Sequence, residues 1–190
     1  MKIGIKLLLI FIFGSFLIYG QAKMSLQVGM QFPEGNFAQV AHNGLGGIAV
    51  IIFPQDQSLS LSASLGYNYW GPYTAWYLGP SDSYSSLLAL IGLRYAFSNY
   101  NAHPYLGLEI GMNSLDYSRT TSYGITSSIY DVSEARFCIA PSFGVIAKIN
   151  TSMSFDINIK YNVSSDEQIN GITLPATFFS LNAGIQFDLY

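Results

Sequence analysis

The sequence is poor in charged residues, in cysteine and in histidine. Only 10% of its 190 residues are charged, and the 11 acidic residues outnumber the 8 basic ones. This acidic balance argues against nucleic acid as a partner. The single cysteine, Cys138, excludes an internal disulfide and any cysteine-based metal cluster. The two histidines, His42 and His103, leave few candidates for acid–base catalysis.

Long hydrophobic runs are also scarce, with one exception at the N-terminus. Leu7 to Ile18 is apolar, Lys2 and Lys6 precede it, and the small residue Gly20 follows it. This is the pattern of a secretory signal, so we predict a signal peptide over residues 1–20 and a mature domain over residues 21–190. Its removal would leave a net charge of −5. No later run approaches the roughly 20 residues of a membrane-spanning helix.

What the sequence does contain is alternation. Hydrophobic residues make up 50% of the chain and aromatic residues 15%, and many of them recur at every second position, which is typical of a β-strand with two different faces. We predict eight strands, over residues 24–32, 44–53, 58–69, 85–97, 104–116, 133–149, 152–163 and 177–190. The second is apolar on both faces, so its orientation stays open. Pro141 removes a ladder donor from the sixth, where we expect a bulge or a break.

The connections and the charges point to one architecture. Long connections (33–43, 70–84, 117–132 and 164–174) alternate with short ones (54–57, 98–103 and 150–151), as in outer-membrane barrels. In the seven strands with assigned faces, the charged residues lie opposite the apolar face. A soluble barrel such as a lipocalin would show the reverse arrangement. The sequence therefore predicts an all-β fold, a closed eight-stranded antiparallel transmembrane β-barrel with up-and-down topology.

Three segments carry a resemblance to a known family: residues 103–113 (HPYLGLEIGMN), 140–144 (APSFG) and 179–187 (FSLNAGIQF). They resemble the small eight-stranded outer-membrane β-barrels of the OmpX and OmpA-transmembrane kind, and most of all the Bacteroidetes-type outer membrane protein β-barrel domains. The resemblance implies the outer membrane of a Gram-negative bacterium. The end of the chain also resembles the insertion signal that the barrel-assembly machinery reads, carried here by Gly184, Phe187 and Leu189. Members of this group include stabilisers, adhesins, resistance factors and enzymes, so the resemblance implies no single activity.

The inward faces carry seven charged residues, for which we predict a polar lumen network. An eight-stranded barrel has room for little more than its own side chains, and an unpaired buried charge would be costly. We expect Arg94 to pair with Glu109, and Lys148 with Asp156, because each pair lies on neighbouring strands at similar depth. The predicted network consists of Arg94, Glu109, Arg136, Lys148, Asp156, Lys160 and Asp188.

For function, the sequence favours a structural or surface-interaction protein. Aromatic residues in the long loops are candidates for recognition of an extracellular protein or glycan: Tyr73, Trp76, Tyr77, Tyr123 and Tyr130. Two alternatives stay open, a narrow small-solute channel and a lipid-modifying barrel enzyme. His42 and His103 are predicted on opposite rims, so we expect no catalytic site, no metal and no cofactor. The other expected partners are membrane lipid, lipopolysaccharide and the assembly machinery.

Overall fold

A computed structural model describes residues 22–72, 83–97, 101–123, 126–165, 168–169, 172–173 and 177–189. Within these ranges, side chains are described except at 72, 117–123, 126–132, 168–169 and 172–173. The predicted signal peptide, residues 1–20, lies outside the described residues. No helix in the described part of the chain has the length and hydropathy of a membrane span.

The described residues form ten strands, eight of which close into one antiparallel barrel. The strands are β1 (Lys23–Pro33), β2 (Ala41–Pro54), β3 (Leu59–Pro72), β4 (Ser83–Ala96), β5 (Ala102–Tyr123), β6 (Thr126–Lys148), β7 (Met153–Ser164), β8 (Gln168–Ile169), β9 (Ile172–Thr173) and β10 (Phe178–Asp188). The barrel order is β1-β2-β3-β4-β5-β6-β7-β10, and β10 pairs back onto β1 from Lys23↔Asp188 to Pro33↔Phe178. The two short strands β8 and β9 pair only with each other, between β7 and β10.

The barrel is apolar outside and largely polar inside, which confirms the predicted fold class. Along β1, Val28 is 73% exposed whereas Ser25 is fully buried. The same alternation holds on the other oriented strands, where large apolar side chains such as Ile91 and Leu108 point outward. A continuous belt of exposed apolar side chains is stable only in lipid, and a closed barrel satisfies its backbone hydrogen bonds there. The protein is therefore a membrane-spanning barrel.

The structure decides the orientation of β2, which the sequence left open. Val50 and Ile52 face the lumen and are almost fully buried, whereas Leu45 and Ile51 are exposed. The reason is register: Val50 lies opposite Ser25 on β1, and paired residues share a face of the sheet. One wall of the lumen is consequently apolar.

The predicted loop over residues 117–132 is wrong. β5 and β6 stay paired as far as Tyr123↔Thr126, so only residues 124 and 125 connect them. This segment is rich in Ser, Thr and Tyr, and its polarity suggested a loop. Thr and Tyr are nevertheless favourable strand residues, and a strand beyond the lipid needs no apolar face.

Pro141 produces no bulge. It keeps its register opposite Leu108 on β5. On the other side, the β6–β7 pairs stop at Ile139↔Val163 and resume at Ser142↔Lys160 without a shift. The proline therefore interrupts one ladder locally, which fits the predicted break.

Two of the short turns are stabilised by the same kind of hydrogen bond, from backbone N–H groups to a side-chain oxygen. The Asp56 carboxylate accepts hydrogen bonds from the backbone N–H groups of Ser58 and Leu59, both at 2.7 Å. The Asn150 side-chain oxygen accepts in the same way from Ser152 and Met153, at 2.9 and 2.8 Å. Such turns are favoured by Asp and Asn because their short side chains reach the backbone two or three residues on. The backbone bonds lower the pKa of Asp56, which keeps its carboxylate charged.

Candidate functional site

In the part of the lumen near the short-turn end, three buried side chains contact Asp156 on β7. Its two oxygens accept hydrogen bonds from Gln27 at 2.7 Å, Tyr105 at 2.9 Å and Arg94 at 3.3 Å. Arg94 also lies over the Tyr105 ring, 5.1 Å from its centroid. These partners come from β1, β4 and β5, so one buried carboxylate ties together distant walls of the barrel.

A second buried cluster surrounds Glu109 on β5. Its carboxylate accepts a short hydrogen bond from the Lys160 ammonium and two longer ones from Ser62 and Ser64, at 3.1 and 3.3 Å. Glu109 and Lys160 are 1% and 3% exposed. Each charge is therefore compensated inside the lumen, as the cost of burying an unpaired ion requires.

Four members of the predicted network form buried ion pairs in the lumen, namely Arg94, Glu109, Asp156 and Lys160, but the predicted pairs are wrong. Arg94 forms its ion pair with Asp156, not with Glu109, and Lys148 is an exposed residue near the short-turn rim. The reason is that the partners meet across the lumen and not along one hairpin. The remaining two members have local partners: Arg136 is 2.7 Å from Glu134, and Asp188 is 3.3 Å from Lys23 at the rim.

The opposite end of the lumen is closed by an apolar plug. Residues 37–39 form a single 3-10 turn between β1 and β2, and Phe37 on it is 1% exposed. Its ring packs edge-on against Trp70 and Tyr84, with centroids 5.1 and 5.5 Å away. Phe178 also packs edge-on against Trp70, with ring centroids 4.9 Å apart. The plug was not predicted from the sequence, because Phe37 stands in a polar stretch. The signal was there in Trp70, Tyr84 and Phe178, which continue the inward face of their strands.

The predicted insertion signal lies on the last strand. Gly184 is close to β1: a Cβ added there would lie 2.0 Å from the Leu26 backbone oxygen. Packing alone therefore requires glycine at this position. Phe187 is partly buried on β10, and Leu189, one residue past the end of the strand, is 40% exposed. Their role as an insertion signal stays a prediction.

The candidate recognition residues lie in parts of the chain without described side chains. Tyr73, Trp76 and Tyr77 lie outside the described residues. Tyr123 and Tyr130 belong to the β5–β6 hairpin, of which only the backbone is described there.

The two histidines lie at opposite ends of the barrel, His42 at the start of β2 and His103 at the start of β5. The described residues contain no cluster of three His, Cys, Asp or Glu that could hold a metal ion.

Comparison with known proteins identifies the class of fold. No protein-family model and no curated relative matches the chain. Among solved structures, Neisserial surface protein A is similar, with a TM-score of 0.62 and 15% identity over 88% of this chain and 97% of that one. Ail, the attachment invasion locus protein of Yersinia pestis, has a TM-score of 0.52 and 13% identity over 88% and 100%. A structure of Ail with the heparin analogue sucrose octasulfate matches equally well.

The chain thus has the fold of the small eight-stranded outer-membrane β-barrels. The closed barrel, its apolar exterior and its charged lumen define that class. The narrower Bacteroidetes-type resemblance stays a prediction.

The lumen is obstructed at two levels, by Phe37 at the outer end and by the Glu109–Lys160 pair further in. These two obstructions lead to an expected result for conductance. We expect the purified protein to give no single-channel steps in planar lipid bilayers, because both Phe37 and the Glu109–Lys160 pair block the path. Phe37→Ala should also be silent, since it leaves the inner obstruction intact. Steady steps in the wild type that change in size on substitution of Arg94 or Glu109 would instead identify a channel.

Proposed function

We propose that the protein is a non-catalytic outer-membrane barrel that acts through its outer rim, as a surface-interaction protein. One observation carries the proposal, the length of the β5–β6 hairpin. Pairing of β4 with β5 ends at Ser83↔Ser118, and pairing of β6 with β7 ends at Cys138↔Ser164. The hairpin continues beyond both points to Tyr123↔Thr126. Among the described residues, its two outer edges therefore have no neighbouring strand.

Free strand edges can bind another chain. Their unpaired N–H and C=O groups are a template for an added strand, and main-chain hydrogen bonds then supply affinity. The hairpin is positioned by a rigid barrel, which lowers the entropy lost on binding. Tyr123 and Tyr130 would contribute aromatic contact area to such an interface.

The charge of the outer loops limits the choice of partner. Their only basic residue is Arg119, and they contain five acidic residues: Glu34, Asp82, Asp131, Asp166 and Glu167. A sulfated sugar, such as the one bound by Ail, needs several cations. The balance here instead supports an extracellular protein or an uncharged glycan as the partner.

Shortening the hairpin tests this function. Ser118 and Asp131 are cross-strand partners, so joining them through Asn-Gly removes residues 119–130 and keeps the strand register. We expect this variant to fold, and its binding to immobilised extracellular proteins or neutral glycans to fall by about tenfold or more. Binding would be measured with cells that display the barrel.

Two controls separate the contributions. Tyr123→Ser with Tyr130→Ser, in a hairpin of full length, removes the aromatic rings but keeps the strand edges. Retention of the heat-dependent shift on a denaturing gel shows that each variant is folded. Wild-type binding by the shortened, folded protein would contradict the proposal.

The enzyme alternative makes a different prediction. A lipid-modifying barrel would change the lipid A of cells that express it, and the change would depend on His42 or His103. We place the two histidines at opposite rims, which gives them no common substrate position. A non-catalytic role is therefore the proposal.

A further inference from the structure

The two free edges of the β5–β6 hairpin differ in length. On the β5 side, pairing with β4 reaches Ser118, so only residues 119–123 extend beyond it. On the β6 side, pairing with β7 ends at Cys138, and the described residues include no strand beside residues 126–136. The short strands β8 and β9 pair only with each other. The β6 edge is therefore the longer one, and it exceeds a typical strand of about 5–6 residues.

The direction of the backbone groups on this edge follows from two features lower on β6. The N–H of Ser165 donates to the Phe137 carbonyl at 2.8 Å, so Phe137 points its backbone groups toward β7. Pro141, which has no N–H, interrupts the ladder to β7 while its pairing with β5 continues. Successive residues of a strand point their backbone groups to opposite sides. The free edge therefore presents the N–H and C=O groups of Ser127, Ile129, Asp131, Ser133 and Ala135.

This edge lies beyond the apolar belt, where it is accessible from water. Met112 and Phe137 are cross-strand partners on the outer face, and each is about half exposed in the belt. Further toward the tip of the hairpin, on the same face, the exposed Asp116 is the partner of Ser133. A charged side chain is costly inside lipid, so Asp116 marks a level outside the hydrocarbon region.

The charges beside the edge indicate the chemistry of a partner. Arg136 and Glu134 are 2.7 Å apart and compensate each other. Asp116 and Asp131 occupy register positions on one face of the hairpin, in neighbouring cross-strand pairs of that face. Arg119 occupies a position on the opposite face. An added strand would therefore meet two carboxylates on one face, and cations at every second residue of that strand would complement them.

A second copy of the chain does not provide this complement. Antiparallel pairing of two β6 edges over their full length would centre on Asp131 and place it opposite its own copy. Like charges directly opposite each other destabilise a sheet. The charge of the edge thus favours a different chain, and a basic one.

We propose that the β6 edge binds an extended, basic segment of another protein as an added antiparallel strand. The main-chain groups of this segment pair with those of Asp131, Ser133 and Ala135, and its alternate cations lie beside the two carboxylates. The inference rests on the proposed surface function and names its partner class, a protein segment and not a neutral glycan.

A short peptide of alternating lysine and threonine is the probe. Its binding to the full barrel in lipid nanodiscs would be measured by fluorescence anisotropy. We expect saturable binding, and binding about tenfold weaker when glutamate replaces lysine. The lysines that face the carboxylates also point their N–H groups at the edge. N-methylation of the lysines should therefore abolish binding, whereas N-methylation of the threonines should leave it within about twofold.

A matched pair of variants tests the edge itself. Ser133→Pro removes one N–H from the free edge and leaves the pairing with β5 intact, as Pro141 does further along β6. We expect the peptide to bind this variant about fivefold more weakly. Ser133→Ala loses the same hydroxyl, which lies 3.4 Å from that of Ser114, but keeps the N–H and should bind like the wild type. The heat-dependent gel shift shows that both variants are folded.

The outcomes separate this inference from the surface function. The added strand is overturned if the peptide shows no saturable binding, if the glutamate peptide binds equally well, or if Ser133→Pro binds like Ser133→Ala. It is also overturned if Ser133→Pro keeps every extracellular partner that the protein without residues 119–130 loses. That last result leaves the surface function standing and is the one expected of a neutral glycan.

Discussion

Lys160→Met should lower the free energy of unfolding by roughly 3–5 kcal/mol, and Glu109→Gln should have a similar effect. Each substitution leaves the other charge buried without its partner, and this is the costly way to break a buried ion pair. The double variant should be much less destabilised than the sum of the two, because it removes both charges. The measurement is reversible urea unfolding in lipid vesicles, followed by tryptophan fluorescence.

The rim offers a matched control. Lys23→Met breaks a pair with Asp188 in which the side chains are 33% and 25% exposed. Such a pair contributes about 0–1 kcal/mol, so Lys23→Met should barely shift the urea midpoint. The prediction is contradicted if Lys160→Met and Glu109→Gln lose less free energy of unfolding than Lys23→Met does. It is also contradicted if the two losses add in the double variant, since the two charges would then not act as one ion pair.

Gly111→Ala should prevent formation of the heat-resistant barrel or cost more than about 3 kcal/mol. A Cβ at Gly111 would lie 2.1 Å from the Ala89 backbone oxygen and 2.9 Å from the Leu90 Cα. These atoms belong to a paired strand and cannot rotate away, unlike the end of a flexible side chain. Overpacking against a fixed backbone should cost more free energy than the roughly 1–3 kcal/mol that it costs in a core whose side chains can adjust. The fraction of folded protein on unheated gels and the urea midpoint report the effect.

Gly47→Ala is the comparison for this variant. At Gly47 the nearest atom to an added Cβ is the Gln27 backbone oxygen at 3.7 Å, an ordinary contact. The residue is exposed on the outer surface, and its substitution should change stability by no more than about 0.5 kcal/mol. Equal tolerance at both positions would show that β4 and β5 can separate to accept the methyl group.

The parts of the fold that sequence predicted were local. Alternation along β3 separates Leu65 and Tyr67 from Ser64 and Asn68 because successive side chains point to opposite faces, whatever the strand pairs with. The hairpin between β5 and β6 escaped the same reasoning. Outside the lipid neither face has to be apolar, so the alternation that marks a strand is absent there.

The sequence by itself thus determined the membrane, the eight barrel strands within it and the faces of seven of them, because period-two alternation and the exclusion of charge from lipid act on each strand separately. Only the tertiary structure decided that Arg94 pairs with Asp156 and Lys160 with Glu109, that Phe37 plugs the outer end, and that Val50 faces inward. These facts depend on closure of the barrel. Closure brings β4 and β5 within reach of β7 across the lumen, and that distance is fixed by the register of all eight strands together.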